Sequence, residues 1–192
     1  MRPVWVQAKD TRLTVERKKF NKLMLPVVSA GAEHLVMGYL MRRNILTYKA
    51  PVCNEGYDLI CIHPSPRHRP AANERPQVRV QVKSRYATDG VRAFLVKPAT
   101  LDAFDFLVVA FLNIGKFNPP NNGSVGMEPI VFYTLPAEFV RQHFRESSSW
   151  TRFDFKGQVR ELAEAYRGDA GFEQVAQALG VPRPTKNRTR DE

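Results

Sequence analysis

Three short stretches of this 192-residue chain combine residue types that can do chemistry: Gly31-Ala32-Glu33 at the head of an apolar segment, Gly56-Tyr57-Asp58-Leu59-Ile60, and Val80-Gln81-Val82-Lys83-Ser84. They supply two carboxylates, an amide oxygen and a lysine. That is the minimum set for holding a hard divalent cation against a phosphodiester. Read as a strand, the third stretch and its approach put Arg79, Gln81 and Lys83 on one face and Val78, Val80 and Val82 on the other. An inner strand built only for packing has no need of such a polar triplet.

The elements that must position these residues follow from hydropathy patterning. A helix is predicted over 29–43, with Ser29 as N-cap, Leu35, Val36, Tyr39 and Leu40 as its apolar stripe, and Arg42 and Arg43 at its negative end. Strands are predicted at 46–50, 57–62, 77–84, 92–97, 105–112 and 130–134, with a Pro- and Arg-rich loop over 64–76. The run at 106–112 lacks alternation and reads as a central strand covered on both faces, its start fixed by Asp105. Helices follow near 136–144, 157–167 and 171–179. The last repeats Phe172, Val175, Ala176 and Leu179 at helical spacing, with Gly180 as C-cap. The order of elements predicts an α/β domain with a mixed sheet. We divide the chain into a basic N-terminal arm (1–28), a core (29–145), a helical C-terminal extension of the same domain (146–180) and a mobile tail (181–192).

If 57–62 and 77–84 pair antiparallel across the loop, Asp58 comes to lie beside Gln81 and Lys83, although 23 residues separate Asp58 from Gln81. Mg²⁺ takes oxygen ligands in octahedral geometry. Asp58 can offer a carboxylate, Gln81 its side-chain carbonyl, Val82 a backbone carbonyl, and Glu33 a second carboxylate, directly or through water. The ion would polarise a phosphoryl oxygen and acidify a water. Lys83 would stabilise the developing charge or orient the attacking water.

In order, spacing and placement, Glu33, Gly56-Tyr57-Asp58-Leu59-Ile60 and Gln81-Val82-Lys83-Ser84 resemble the PD-(D/E)XK nuclease superfamily, in particular archaeal Holliday-junction resolvases and certain intron homing endonucleases. Phe104-Asp105-Phe106-Leu107-Val108-Val109 is similar to the strand that follows the core motif there. The resemblance covers about 29–113. It implies a restriction-endonuclease-like mixed sheet flanked by helices and a Mg²⁺-dependent endonuclease (Mn²⁺ as a substitute) acting on DNA. Glu33, Asp58, Gln81 and Val82 would be the metal-site residues and Lys83 the catalytic cation. Two departures stand out. Tyr57, not proline, precedes Asp58, and Gln81 replaces the acidic member of the (D/E)xK motif, which keeps an oxygen ligand but removes a negative charge. The alternative is a nucleic-acid-binding module that kept the fold and lost catalysis; a third reading is a partner-binding protein whose charge is incidental.

Charge agrees with the first two. With 29 Lys+Arg against 19 Asp+Glu the net charge is +10, which favours anionic partners, nucleic acid before acidic membrane. Arg67, Arg69, Arg75, Arg79 and Arg85 cluster in sequence around the site and would neutralise phosphates. His68 between Arg67 and Arg69 has phosphate contact as its functional option; His34, His63 and His143 have no metal or nucleophile spacing. Cys53 and Cys61 read as two buried free thiols. A zinc site from them with His63 and His68 would need a Cys-x7-Cys spacing outside the usual pairs. The segment 172–185 resembles the first helix of a helix-turn-helix, but Pro182 and Pro184 interrupt a second helix. No apolar leader or membrane-length run occurs, so a soluble, intracellular (cytoplasmic) protein is expected. A homodimer is compatible with the sequence, although no interface is legible in it.

Overall fold

Alternating valines place the first half of β3 (Val78–Arg85) between two layers. Val78, Val80 and Val82 enter a core shared with Ala32, Val36 and Leu40 of α1 (Thr11–Arg42), with Phe172 and Val175 of α4 (Asp169–Ala178) and with its C-cap Leu179. The computed structural model describes residues 11–51, 54–89, 92–114, 128–145 and 152–183, with positions 11–25 described by backbone alone. A one-residue slip of β3 would exchange three buried valines for Arg79, Gln81 and Lys83. At about 1.5–3 kcal/mol per apolar side chain, burial alone fixes the register.

The main sheet is mixed and five-stranded, ordered β1 (Leu46–Lys49), β2 (Leu59–Ile62), β3, β5 (Phe106–Phe111), β6 (Val131–Pro136). Only the β3–β5 pair is parallel. Every residue of β5 is buried, as expected for a strand covered on both faces. Its alternate residues Leu107, Val109 and Phe111 join Tyr133 and Leu135 in a second core on the side opposite α1. Over that side lie a small sheet ordered β4 (Ala93–Leu95), β8 (Arg152–Asp154), β7 (Phe144–Arg145), and the short helices α2 (Ala137–Gln142) and α3 (Gln158–Ala163). Phe94, Phe153 and Phe155 fill the space between them.

Several boundaries differ from expectation. Helix α1 runs unbroken from Thr11 with Pro26 inside it, so Ser29 is an interior residue and not an N-cap. Pro26 and the β-branched Val27-Val28 lower local helix propensity, which is why the sequence reads as a break there. The predicted strand 92–97 is shorter and belongs to the second sheet. Residues 152–154 form a strand inside the stretch expected to be helical.

Helices α1 and α4 both end on a residue with positive φ, and Gly180 is the C-cap expected for α4. Asn44 (φ 61°) closes α1, with Ile45 N–H donating to Leu40 O at 3.2 Å and Asn44 N–H to Met41 O at 2.9 Å. Gly180 (φ 71°) closes α4 by the same pattern, Val181 N–H reaching Ala176 O at 2.9 Å. Arg43, one residue past α1, bridges to Asp169 at 2.8 Å and Glu173 at 3.0 Å and binds the two helices together.

Candidate active site

The site is built where β2 begins. β2 pairs antiparallel with β3, Leu59 opposite Val80 and Cys61 opposite Val78. Asp58, just ahead of β2, still belongs to this ladder: its N–H donates to Val80 O at 2.8 Å. Beyond it β2 stops, and the Asp58 side chain takes over. Val82 N–H donates to Asp58 Oδ2 at 2.7 Å. A carboxylate thus completes the ladder where a backbone carbonyl would otherwise stand. The N–H and C=O of a strand residue point to the same side, so the Val82 carbonyl is also aimed past the end of β2, next to Asp58.

The turn ahead of Asp58 requires glycine. Gly56 has φ +99°, and a Cβ there would lie 2.4 Å from Ala103 Cβ. Asn54 Nδ2 donates to Tyr57 O at 2.7 Å and holds the other side of the turn, while Tyr57 packs against the second core. Gly56-Tyr57-Asp58 is therefore a shaped approach that delivers one carboxylate to one strand end.

Gln81 and Lys83 share the face of β3 that points away from α1. Gln81 is 7% exposed, and its Oε1 is a buried acceptor with no hydrogen-bond partner among the described residues. A buried carbonyl oxygen left unpaired is costly, so it marks a place for a donor or a cation. Burial pushes the Lys83 ammonium below its ordinary value; Asp58 acts against that shift, while Arg85 and Lys97 add to it. The antiparallel pairing of β2 and β3 leaves Asp58 within electrostatic reach of Lys83, and Gln81 stands two residues before Lys83 on the same strand face.

Glu33 is placed differently. It lies on the sheet-facing side of α1 and is ion-paired with Lys49 of β1, which stands opposite Leu59. Its charge is met on β1, two strands across the sheet from Gln81 on β3. Among the described residues no three of His, Cys, Asp and Glu converge as metal ligands. The oxygens at hand, the second carboxylate oxygen of Asp58, the amide oxygen of Gln81 and the Val82 carbonyl, are of the type a hard cation takes.

The arginines divide into two groups. Arg75 and Arg79 both pair with Asp105, which also accepts from Arg79 N–H at 2.7 Å, so Asp105 anchors the start of β5 to β3. These two line a cleft of about 430 Å³ with Asp102, Glu138 and Arg141, at the far end of β3 from Lys83. Arg85 is half-buried over the Phe94 ring (4.5 Å to its centroid) and donates to Ala93 O, bracing the second sheet. Arg67 and Arg69 stand exposed on the 64–76 loop. That loop is held from beneath: His63 and His68 stack at 3.8 Å, His68 Nε2 lies 3.1 Å from Glu74 Oε2, and Arg75 N–H donates to Ala178 O at 2.7 Å.

Two rim residues escaped sequence reasoning. Lys97, 3.7 Å from Glu55, stands exposed beside the Gly56 turn within electrostatic reach of Lys83. Neither belongs to a motif, and only the packing of the second sheet brings Lys97 there. Cys61 is buried and free, its thiol pushed up to about 12 by burial with the Thr47 hydroxyl acting the other way. Cys53 lies outside the described residues.

No protein-family model matches the chain, and no curated protein matches its sequence. Among solved structures it is similar in fold to Hjc, a Holliday junction resolvase from the archaeal hyperthermophile Archaeoglobus fulgidus. The identity is 9%, with 82% of this chain and 98% of that chain covered and a TM-score of 0.43. A bacterial homing endonuclease, I-Ssp6803I, is similar at 16% identity, with 79% and 93% covered and a TM-score of 0.44. The likeness is one of fold: a mixed sheet flanked by helices.

Proposed function

We propose that the chain is a metal-dependent endonuclease that hydrolyses DNA phosphodiester bonds. The observation that carries this reading is the juxtaposition at the β2–β3 strand end. There the Asp58 carboxylate is clasped by Val82 N–H at 2.7 Å, on the strand that also carries the unpaired Oε1 of Gln81 and the half-buried Lys83. Asp58, Gln81 and the Val82 carbonyl would hold a Mg²⁺ ion, with Mn²⁺ as a substitute and Glu33 available if it releases Lys49. A cation held there supplies Lewis acidity and neutralises phosphate charge.

The protein's own groups do the rest. Lys83 Nζ donates to the oxygen on which negative charge develops, from a position where burial lowers its proton affinity. The Asp58–Val82 bond fixes the carboxylate before substrate arrives, so little reorganisation is needed. Exposed Arg67, Arg69 and Lys97 meet the phosphate backbone on either side, while Arg75 is tied to Asp105 and Arg79 and Arg85 support the surface from partly buried positions.

The test is cleavage of supercoiled plasmid, linear duplex and a four-way junction with Mg²⁺, Mn²⁺ or EDTA, using wild type, Asp58→Ala and Lys83→Ala. Metal-dependent cutting that falls by about 10²-fold or more in both variants is expected. Unchanged cutting in Lys83→Ala would refute the assigned mechanism.

One observation favours a second reading, a binding module without catalysis: the third acid is Gln81, and Glu33 is engaged by Lys49. Under that reading isothermal titration gives no heat of Mg²⁺ or Mn²⁺ binding, while duplex DNA is bound and left intact.

A further inference from the structure

Glu33 is two strands from Gln81, yet its partner Lys49 lies next to the strand end at Asp58. Lys49 closes β1 opposite Leu59, and the following residue, Ala50, donates its N–H to Asp58 O at 2.8 Å. With strands about 4.8 Å apart and about 3.4 Å between residues, the Cα atoms of Lys49 and Asp58 are roughly 6 Å apart. Paired residues share a sheet face. Lys49 therefore stands on the same face as Leu59, the one that receives Ala32, Val36 and Leu40 of α1. Glu33 comes down on this face from the helix, while the Asp58 carboxylate, bonded to Val82 N–H, occupies the gap where β2 stops.

The Glu33 side chain is only 18% exposed, so its carboxylate has lost most of its water and needs a cation beside it. Among the described residues that cation is the ammonium of Lys49. The charges around the strand end then cancel, Asp58 and Glu33 against Lys49 and Lys83. A hard divalent ion is held more tightly the more anionic oxygens surround it. With Gln81 in place of an acid, Asp58 is the carboxylate left for an ion as long as Glu33 remains on Lys49. The ammonium and a metal ion compete for the same group.

We propose that Lys49 is a resident counter-ion of the candidate metal site, a role that rests on the metal-dependent function proposed above for Asp58 and Gln81. It holds Glu33 away from the cation, and loading the site exchanges the ammonium for the metal on the Glu33 carboxylate. No covalent bond changes in this exchange. Glu33 turns about its side-chain torsions toward Asp58, and Lys49, 39% exposed, moves out into water. Lys49 is a positioning residue, since it acts on the ion through Glu33. The apparent affinity for the cation is reduced by the fraction of time Glu33 spends released, which sets a threshold concentration below which Glu33 remains with Lys49.

Isothermal titration of the nucleic-acid-free full-length protein with Mn²⁺ tests this. Lys49→Met is expected to tighten Mn²⁺ binding by about tenfold or more, and Lys49→Arg to leave it within about twofold. The double variant Lys49→Met/Glu33→Gln should lose the gain. Because coupling is reciprocal, Mn²⁺ must loosen the pair by the factor by which the pair weakens Mn²⁺. Acylation of Lys49 by acetic anhydride, read by mass spectrometry, should therefore quicken when Mn²⁺ is added to wild type and not when it is added to Asp58→Asn. Mn²⁺ binding that requires Asp58 but is unmoved by Lys49→Met overturns the role of Lys49 alone. Absence of Mn²⁺ binding in wild type and Lys49→Met alike overturns it together with the metal-dependent reading of the site.

Discussion

Asp58 Oδ2 completes the β2–β3 ladder, and the same carboxylate lies within electrostatic reach of Lys83. A loss of activity on replacing it will therefore come with a loss of stability, and the two must be measured separately. Lys83 offers a cleaner handle. Its pKa is lowered in the folded state, chiefly by burial. Unfolding restores the ordinary value near 10.4, so the unfolded chain binds the proton more tightly and the buried charge costs stability at neutral pH. That cost is relieved as pH climbs from the depressed folded value toward the unfolded one. Urea midpoints across the alkaline range should thus show a Lys83-dependent gain with rising pH that is missing in Lys83→Met. A gain of the same size in both proteins would mean that the ammonium is well solvated.

At the scale of elements, the turn into β2 is the most sharply determined feature of the site. Gly56→Ala must adopt a left-handed conformation and displace Ala103, so a destabilisation of about 2 kcal/mol or more is expected from urea unfolding. Asp58 should also shift, so that any cleavage falls further than the stability loss alone explains. The face alternation of β3 and the pairing across 64–76 were legible in the sequence, because period-two burial is a local signal. What was not legible depended on tertiary contacts. The helix through Pro26 survives despite its local propensity. β7 and β8 are two and three residues long and exist only because Phe153 packs under Phe94 and Phe139. The engagement of Glu33 by Lys49, and of Arg75 and Arg79 by Asp105, needed the register of strands far apart in sequence.

For the molecule as a whole, a net charge of +10 sets the terms on which an anionic partner is met. Arg67 and Arg69 are exposed, whereas Arg79 is tied to Asp105. If duplex DNA lies along the 64–76 loop, Arg67→Ala and Arg69→Ala should each lower the slope of log affinity against log salt by about 1 without altering the unfolding midpoint. Arg79→Ala should do the reverse: it leaves the buried Asp105 carboxylate short of a partner and destabilises by about 1–3 kcal/mol. Equal salt slopes in all three variants would place the nucleic-acid path elsewhere. The register of β3 has one more consequence, and it concerns how the gene can vary. Inserting a single codon between positions 78 and 83 would rotate Gln81 and Lys83 into the layer under α1 and the valines out of it, ending fold and site together. The exposed stretch 69–73 can lengthen at small entropic cost. Length variation among descendants of this sequence should therefore collect in the loop that carries Arg69 and be purged from the strand beside it.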